Sequence, residues 1–255
     1  FSYVTSGVSS LTCGANHLMF IKTDGSLWAM GYNSSGQLGD ESNASSLLPK
    51  QVVPSNVSTV SAGGDHSLFV KTDGSLWAMG ANITGQLGDG NTTDRNIPVQ
   101  VVSSGVVSVS AGGNHSLFVK TDGSLWSMGT GWAGALGTGS DDDNATPSQV
   151  VALNVALAAA GGNHSLFVKT DGSLWGMGFN SSGQLGDGLT TNRLSPVQIL
   201  STGVASITTA GNHSLILKTD GSLWGMGNNS QGQLGNGSLA NRASPVQIEP
   251  SGVVL

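Results

Sequence analysis

Five histidines are the residues of this chain with the clearest capacity for chemistry, since an imidazole can ligate a metal, act as a general base or change charge near neutral pH. They stand at His17, His66, His115, His164 and His213, a constant spacing of 49, and eleven residues after each comes a tryptophan: Trp28, Trp77, Trp126, Trp175 and Trp224. Metal ligands must converge to about 2.0–2.2 Å from one ion, whereas one histidine per 49-residue unit lies on a wide circle. Asp65 is the single acid directly beside any of them. The expected role is therefore structural: an imidazole near a strand end satisfies backbone groups of the adjacent Gly-rich turn and packs against the neighbouring unit. The tryptophans have a similar reading. Each shares a strand face with a methionine two residues on (Met30, Met79, Met128, Met177, Met226), which buries a large apolar area and leaves one indole N–H in need of a partner. Sugar-stacking platforms are the functional alternative.

The spacing defines five copies of one unit, and Val246 to Leu255 restart it in the register of Phe1 to Ser10. In the third copy, residues 106–110 form a β-branched run, residues 115–120 a second extended run and residues 125–128 a third. Between the last two lies Asp122-Gly123, a hairpin signal because both residues tolerate positive φ; Asp24-Gly25, Asp73-Gly74, Asp171-Gly172 and Asp220-Gly221 repeat it. A fourth extended piece follows Pro98 as Val99-Gln100-Val101-Val102. No stretch has apolar spacing of three and four, and 39 glycines would weaken helices throughout. About four short strands per unit, repeated around an axis, predict an all-β fold, a β-propeller of five four-stranded antiparallel blades with one 49-residue repeat per blade. An open solenoid is the alternative. Residues 1–255 are read as a single domain in which the last blade is completed by Val246-Gln247-Ile248 and the first begins at Val8 to Thr12. Terminal strands then close the ring, with Phe1 to Val4 duplicating a strand at the other end.

The unit resembles the repeat of the regulator of chromosome condensation family. The shared signature runs Gly112-Gly113-Asn114-His115-Ser116-Leu117, then Asp122-Gly123-Ser124-Leu125-Trp126-Ser127-Met128-Gly129. Gly-Gln-Leu-Gly completes it at 36–39, 85–88, 183–186 and 232–235. The resemblance implies β-propeller blades, usually seven in that family, and a tendency toward protein recognition. Gln37, Gln86, Gln184 and Gln233 are expected to bridge backbone groups of adjacent blades. No phosphate-cradling loop, nucleophile elbow or metalloprotease pair occurs, so no enzymatic activity and no cofactor are expected.

With 9 Lys plus Arg against 15 Asp plus Glu the chain is mildly acidic, which argues against nucleic acid as a partner. Its apolar runs are too short for membrane insertion by a helix. Cys13 stands where Ala62, Ala111, Ala160 and Ala210 occur, and reads as a small buried core residue. The first residue is Phe1, not Met, with no signal-like segment after it, which suggests a processed or excerpted chain. Abundant Gly, Ser, Asn and Thr with few lysines points to an extracellular or cell-surface setting, with a monomer favoured. Function is sought where the copies disagree. The third carries Trp132 in place of a polar loop residue and, farther on, Asp141-Asp142-Asp143, the one acidic run. An exposed aromatic is a binding anchor and clustered carboxylates recruit a basic partner or a cation such as calcium. Tyr32 and Phe179, at the same loop start in the first and fourth copies, are further contact candidates. The leading expectation is a non-enzymatic protein-recognition scaffold that binds its partner through propeller rim loops. A multivalent lectin, or a structural module of a larger surface protein, is the alternative.

Overall fold

The computed structural model describes residues 7–254, so Phe1 to Val4, expected to duplicate a terminal strand, lie outside the described residues. Twenty strands form five four-stranded sheets, each built from consecutive antiparallel strands in chain order. The first blade comprises β1 (Val8–Cys13), β2 (His17–Lys22), β3 (Leu27–Gly31) and β4 (Ser46–Val53). The second has β5 (Val57–Ala62), β6 (His66–Lys71), β7 (Leu76–Gly80) and β8 (Arg95–Val102). The third has β9 (Val106–Ala111), β10 (His115–Lys120), β11 (Leu125–Gly129) and β12 (Asn144–Val151). The fourth has β13 (Val155–Ala160), β14 (His164–Lys169), β15 (Leu174–Gly178) and β16 (Arg193–Leu200). The fifth has β17 (Val204–Ala210), β18 (His213–Lys218), β19 (Leu223–Gly227) and β20 (Arg242–Glu249). No helix among the described residues is long and apolar enough to cross a membrane.

Two local details differ from the sequence reading. At the Asp-Gly hairpins only the glycine takes positive φ, as at Gly123 (φ 77); the aspartate side chain turns back to accept from the amide and hydroxyl of the serine after it. The fourth strands also begin before their proline, which sits inside the strand at Pro98 in β8. A proline is tolerated there because the strand is an edge, with its outward N–H positions unpaired, and its presence blunts that edge.

The core lies between blades, not within them. Met19, Ile21, Leu27, Ala29 and Leu38 of the first blade pack against Val57, Ala62, Phe69 and Met79 of the second. The same arrangement recurs at the next three junctions. Each methionine seats on the last glycine of the Gly-Gln-Leu-Gly turn before it: a Cβ on Gly39 would lie 2.3 Å from Met79 Sδ, and one on Gly88 2.2 Å from Met128 Sδ. That glycine is required twice over, by the sulfur and by its positive φ.

Blades one and five share no core cluster of this kind among the described residues; as the sequence predicts, β1 opens the first blade and β20, which contains Val246-Gln247-Ile248, completes the last. Leu11 on the outward face of the first blade is 64% exposed, and Met30 lacks the full burial of Met79 and Met128. On the fifth blade Leu215 and Leu223 are half-buried, and Gly235 has no methionine seated on it. A specific mismatch accompanies the opening: the first blade carries Leu18 where Ser67, Ser116, Ser165 and Ser214 serve the preceding blade's histidine. Cys13 is another correction. It is exposed at the axial cavity on the first blade, whereas Ala62 and Ala160 at the equivalent positions are packed into the inter-blade core.

Candidate functional site

The histidines form a relay between blades. His17 Nε2 lies 2.9 Å from Ser67 Oγ of the next blade, and that hydroxyl donates to the main-chain carbonyl of Gln37 at 2.8 Å. His66 with Ser116, His115 with Ser165 and His164 with Ser214 repeat the contact at 2.8–2.9 Å. Since the hydroxyl hydrogen is committed to the carbonyl, Nε2 carries the imidazole proton and Nδ1 is bare. Nδ1 of these four rings finds no hydrogen-bond partner and packs under the Gly-rich turn, where a Cβ on Gly63 would lie 2.7 Å from His66 Nδ1. The imidazole therefore bonds a neighbouring serine, not the backbone of its own turn, because a hydroxyl can accept and donate at once. Burial holds the rings neutral, pushing His66 and His164 down to about 3 and His17 and His115 to about 4, with the Asp65 carboxylate partly opposing the shift at His17. His213, on the open face, is lowered by lesser burial.

Each tryptophan is likewise occupied within its own blade. Trp28 Nε1 donates to Ser26 Oγ at 2.8 Å, and Ser26 donates to Asp24. Lys22 Nζ sits 4.2 Å above the ring, and Phe20 stacks beside it at 6.3 Å. All five copies keep the lysine, at 3.9–4.4 Å. Each half-buried indole thus has a face covered by the lysine of its own blade. The serine and lysine partners were visible in the repeat at fixed offsets, but their roles emerge only from the hairpin that folds them onto the ring.

Rim loops between the third and fourth strands are organised by an asparagine that the sequence reading passed over. Asn82 is fully buried; its Nδ2 donates to Asp89 and to the carbonyls of Asn91 and Thr93, while its Oδ1 accepts from Leu87 N. Asn33, Asn180 and Asn229 do the same. The glutamine side chain spans the junction, with Gln37 Oε1 accepting from Ser35 N of its own turn and Nε2 donating to Asp65 of the second blade. It is thus the glutamine main-chain carbonyl, not the amide, that meets the next blade's serine. Arg95 and Arg193 clip the same loops to Asp89 and Asp187.

The third loop departs from this plan. Gly131 replaces the asparagine, Ala135 the glutamine, and Trp132–Gly134 form a 3-10 turn with Ala133 at φ 60, a strained value for a residue with a side chain. Asp143 accepts from Gly131 N at 2.9 Å, as Asp94, Asn192 and Asn241 do from the equivalent amide in other blades, and also from Thr130 Oγ1 at 3.0 Å. The other two carboxylates of the run, Asp141 and Asp142, are exposed. Their backbone crosses Gly131, the residue before Trp132, where an added Cβ would meet the Asp142 carbonyl oxygen. Trp132 is 51% exposed and packs on Phe179 of the fourth blade at 5.0 Å and a 35° tilt. Leu194 lies beside the same turn, where a Cβ added to Gly134 would come within 2.6 Å of Leu194 Cα. Tyr32, also exposed, belongs to the first blade and stands apart from this group. No cluster of three or more His, Cys, Asp or Glu residues placed to share a metal ion occurs among the described residues.

Four junctions offer the same three positions, and only one is filled by large apolar groups. They hold Ser34, Ala81 and Asn96 at the first, Ile83, Thr130 and Ala145 at the second, and Ser181, Asn228 and Ala243 at the fourth. At the third they hold Trp132, Phe179 and Leu194. The scaffold closes its junctions without aromatics, so the aromatics are an addition to it.

Comparison with known proteins agrees with this architecture. The RCC1-like domain family matches residues 2–201, and the regulator of chromosome condensation (RCC1) repeat matches residues 204–233 and 220–254. The fold is similar to that of human WBSCR16, at 24% identity and a TM-score of 0.83 over 94% of this chain and 67% of that one. It is also similar to yeast RCC1 (Prp20) bound to Kap60, at 20% identity and a TM-score of 0.82 over 94% and 63% of the respective chains. A further structure, Prp20p from Saccharomyces cerevisiae, described with its binding properties to Gsp1p and histones, matches at 22% identity and 0.79 over 94% and 65%. The chain thus spans 63–67% of the length of these proteins. A family match over most of the sequence, repeated units with one histidine and one tryptophan each, and five stacked four-stranded blades establish that the chain belongs to the RCC1-like repeat family of β-propellers.

Proposed function

We propose that this propeller is a non-enzymatic protein-recognition scaffold whose partner seats on the rim at the junction of the third and fourth blades. The observation that carries the reading is the triad of Trp132, Phe179 and Leu194, large apolar groups at positions filled by smaller or polar residues elsewhere. Exposed aromatics on a rigid support are favoured interface anchors, because they bring large contact area at small conformational cost. Asp141 and Asp142 form the acidic margin of the seat, Asp143, exposed as well, braces the loop through Gly131 and Thr130, and Tyr32 offers a second contact on another blade. The repeat histidines and tryptophans are assigned to the scaffold. Yeast Prp20, of the same fold, is described with Kap60, Gsp1p and histones, which supports protein as the class of partner. The proposed setting is extracellular or at the cell surface, on the compositional grounds given above.

The test is affinity capture with the parent chain and with Trp132→Ala from the same extract. A specific protein recovered by the parent and lost with the variant supports the reading, and equal recovery by both removes Trp132 as the anchor. A glycan array distinguishes the lectin alternative, which requires several equivalent sugars per chain.

A further inference from the structure

Trp132 differs from the other five tryptophans in a way that identifies what it lacks. Each repeat tryptophan carries a lysine ammonium 3.9–4.4 Å above its ring and gives its indole N–H to a serine of its own blade. Trp132 has no such cation among the described residues, and half its surface is open. The charged residues on the segments that meet its turn are Asp141, Asp142, Asp143 and Arg193. Asp141 and Asp142 are exposed on the segment that crosses Gly131. Arg193, the cation next to Leu194, is engaged with Asp187 through Nε at 2.7 Å and Nη2 at 2.6 Å. The seat therefore combines an uncovered π face, an adjoining apolar surface from Phe179 and Leu194, and two carboxylates without compensation.

We propose that this seat receives a cationic segment of the partner protein, with an arginine or lysine over Trp132, an apolar side chain against Phe179 and Leu194, and Asp141 and Asp142 as counter-charges. This assignment rests on the rim-recognition reading and adds the chemistry of the partner. A cation over an indole is attracted by the ring quadrupole, and flanking carboxylates select for it against neutral or acidic segments while hastening encounter at low salt. A hydrophobic segment alone would leave the carboxylates idle, and an acidic one would be repelled by them.

The experiment titrates the intact chain with three synthetic peptides, Gly-Arg-Leu-Arg-Gly, Gly-Ser-Leu-Ser-Gly and Gly-Glu-Leu-Glu-Gly, at millimolar concentrations. The readout is the indole N–H resonance of Trp132, assigned by its loss in Trp132→Phe. The arginine peptide is expected to move that resonance selectively and to bind about tenfold more weakly at high salt. The double variant Asp141→Asn/Asp142→Asn is expected to weaken it by about five- to tenfold while the five repeat indoles stay unperturbed. Asp143 is left in place because it holds the loop. Equal binding of the serine or glutamate peptide, or an unchanged affinity in the double variant, overturns the cationic assignment. A Trp132 resonance that no peptide moves overturns it as well. The rim reading is judged separately by capture with Trp132→Ala, so either can fail while the other stands.

Discussion

Acid should dismantle the inter-blade relay before it touches the carboxylates. Four imidazoles are held neutral with Nδ1 bare and packed under a glycine turn, with no acceptor for a second proton. His115 falls from 6.5 to about 4 on burial, and at about 1.4 kcal/mol per pKa unit this amounts to roughly 3 kcal/mol; His66, reaching about 3, amounts to roughly 5 kcal/mol on the same scale. Two such rings already rival the ~5–15 kcal/mol that a folded domain has in total. Because the unfolded imidazole binds its proton near 6.5 and the folded one far below, the relay's contribution is complete above 6.5 and lost progressively as the pH falls toward 4. Asp24, Asp73, Asp122, Asp171 and Asp220 are held below the ordinary carboxylate value of 3.8 first by the hydroxyl and amide of the following serine, so their contribution is lost only below that value. The two windows meet only below 3.8, where His66 and His164, held to about 3, are still titrating. Urea unfolding followed by tryptophan fluorescence, repeated from about pH 8 to about pH 4.5, should show a midpoint that is flat at the alkaline end and drops steeply below about pH 6.5. A midpoint that stays level down to pH 4.5 would refute both the tautomer and the burial argument.

Other substitutions probe separate parts of the account. Ser116→Ala leaves His66 Nε2–H without its acceptor and Gln86 O without its donor, and should cost about 1–3 kcal/mol in urea unfolding. Gly112→Ala places a methyl against the His115 ring and the Gly161 carbonyl oxygen at 2.5–2.6 Å, and should shift the thermal midpoint downward by more than the serine change, since a backbone oxygen cannot rotate away. Trp126→Ala removes a half-buried indole that touches Phe118, Lys120 and Ser124, with an expected loss of about 3 kcal/mol. Trp132→Ala, by contrast, should alter stability by less than about 1 kcal/mol while removing partner capture, and a large loss of stability would return that residue to the scaffold.

The period of 49 residues, the Asp-Gly hairpins and the alternation of short apolar runs determined four strands per unit, because those signals are local: turn chemistry and side-chain direction act within a few residues. That the histidines and tryptophans hold equivalent places in every blade was legible for the same reason, since a residue recurring once per unit recurs once per blade. The partner of each imidazole was not. It lies on the next blade, 50 residues away, and neither the serine nor the bare Nδ1 has meaning until the blades stack. Stacking also decided that Cys13 faces the axial cavity, that Gln37 serves the junction through both its main-chain carbonyl and its side-chain amide, and that Leu11 of the first blade is exposed. Trp132 was singled out by departure from the repeat, yet its union with Phe179 and Leu194, from 47 and 62 residues farther along, required the third and fourth blades to be placed side by side. Sequence spacing determines what each blade contains; only packing between blades decides which faces of those residues remain free to bind.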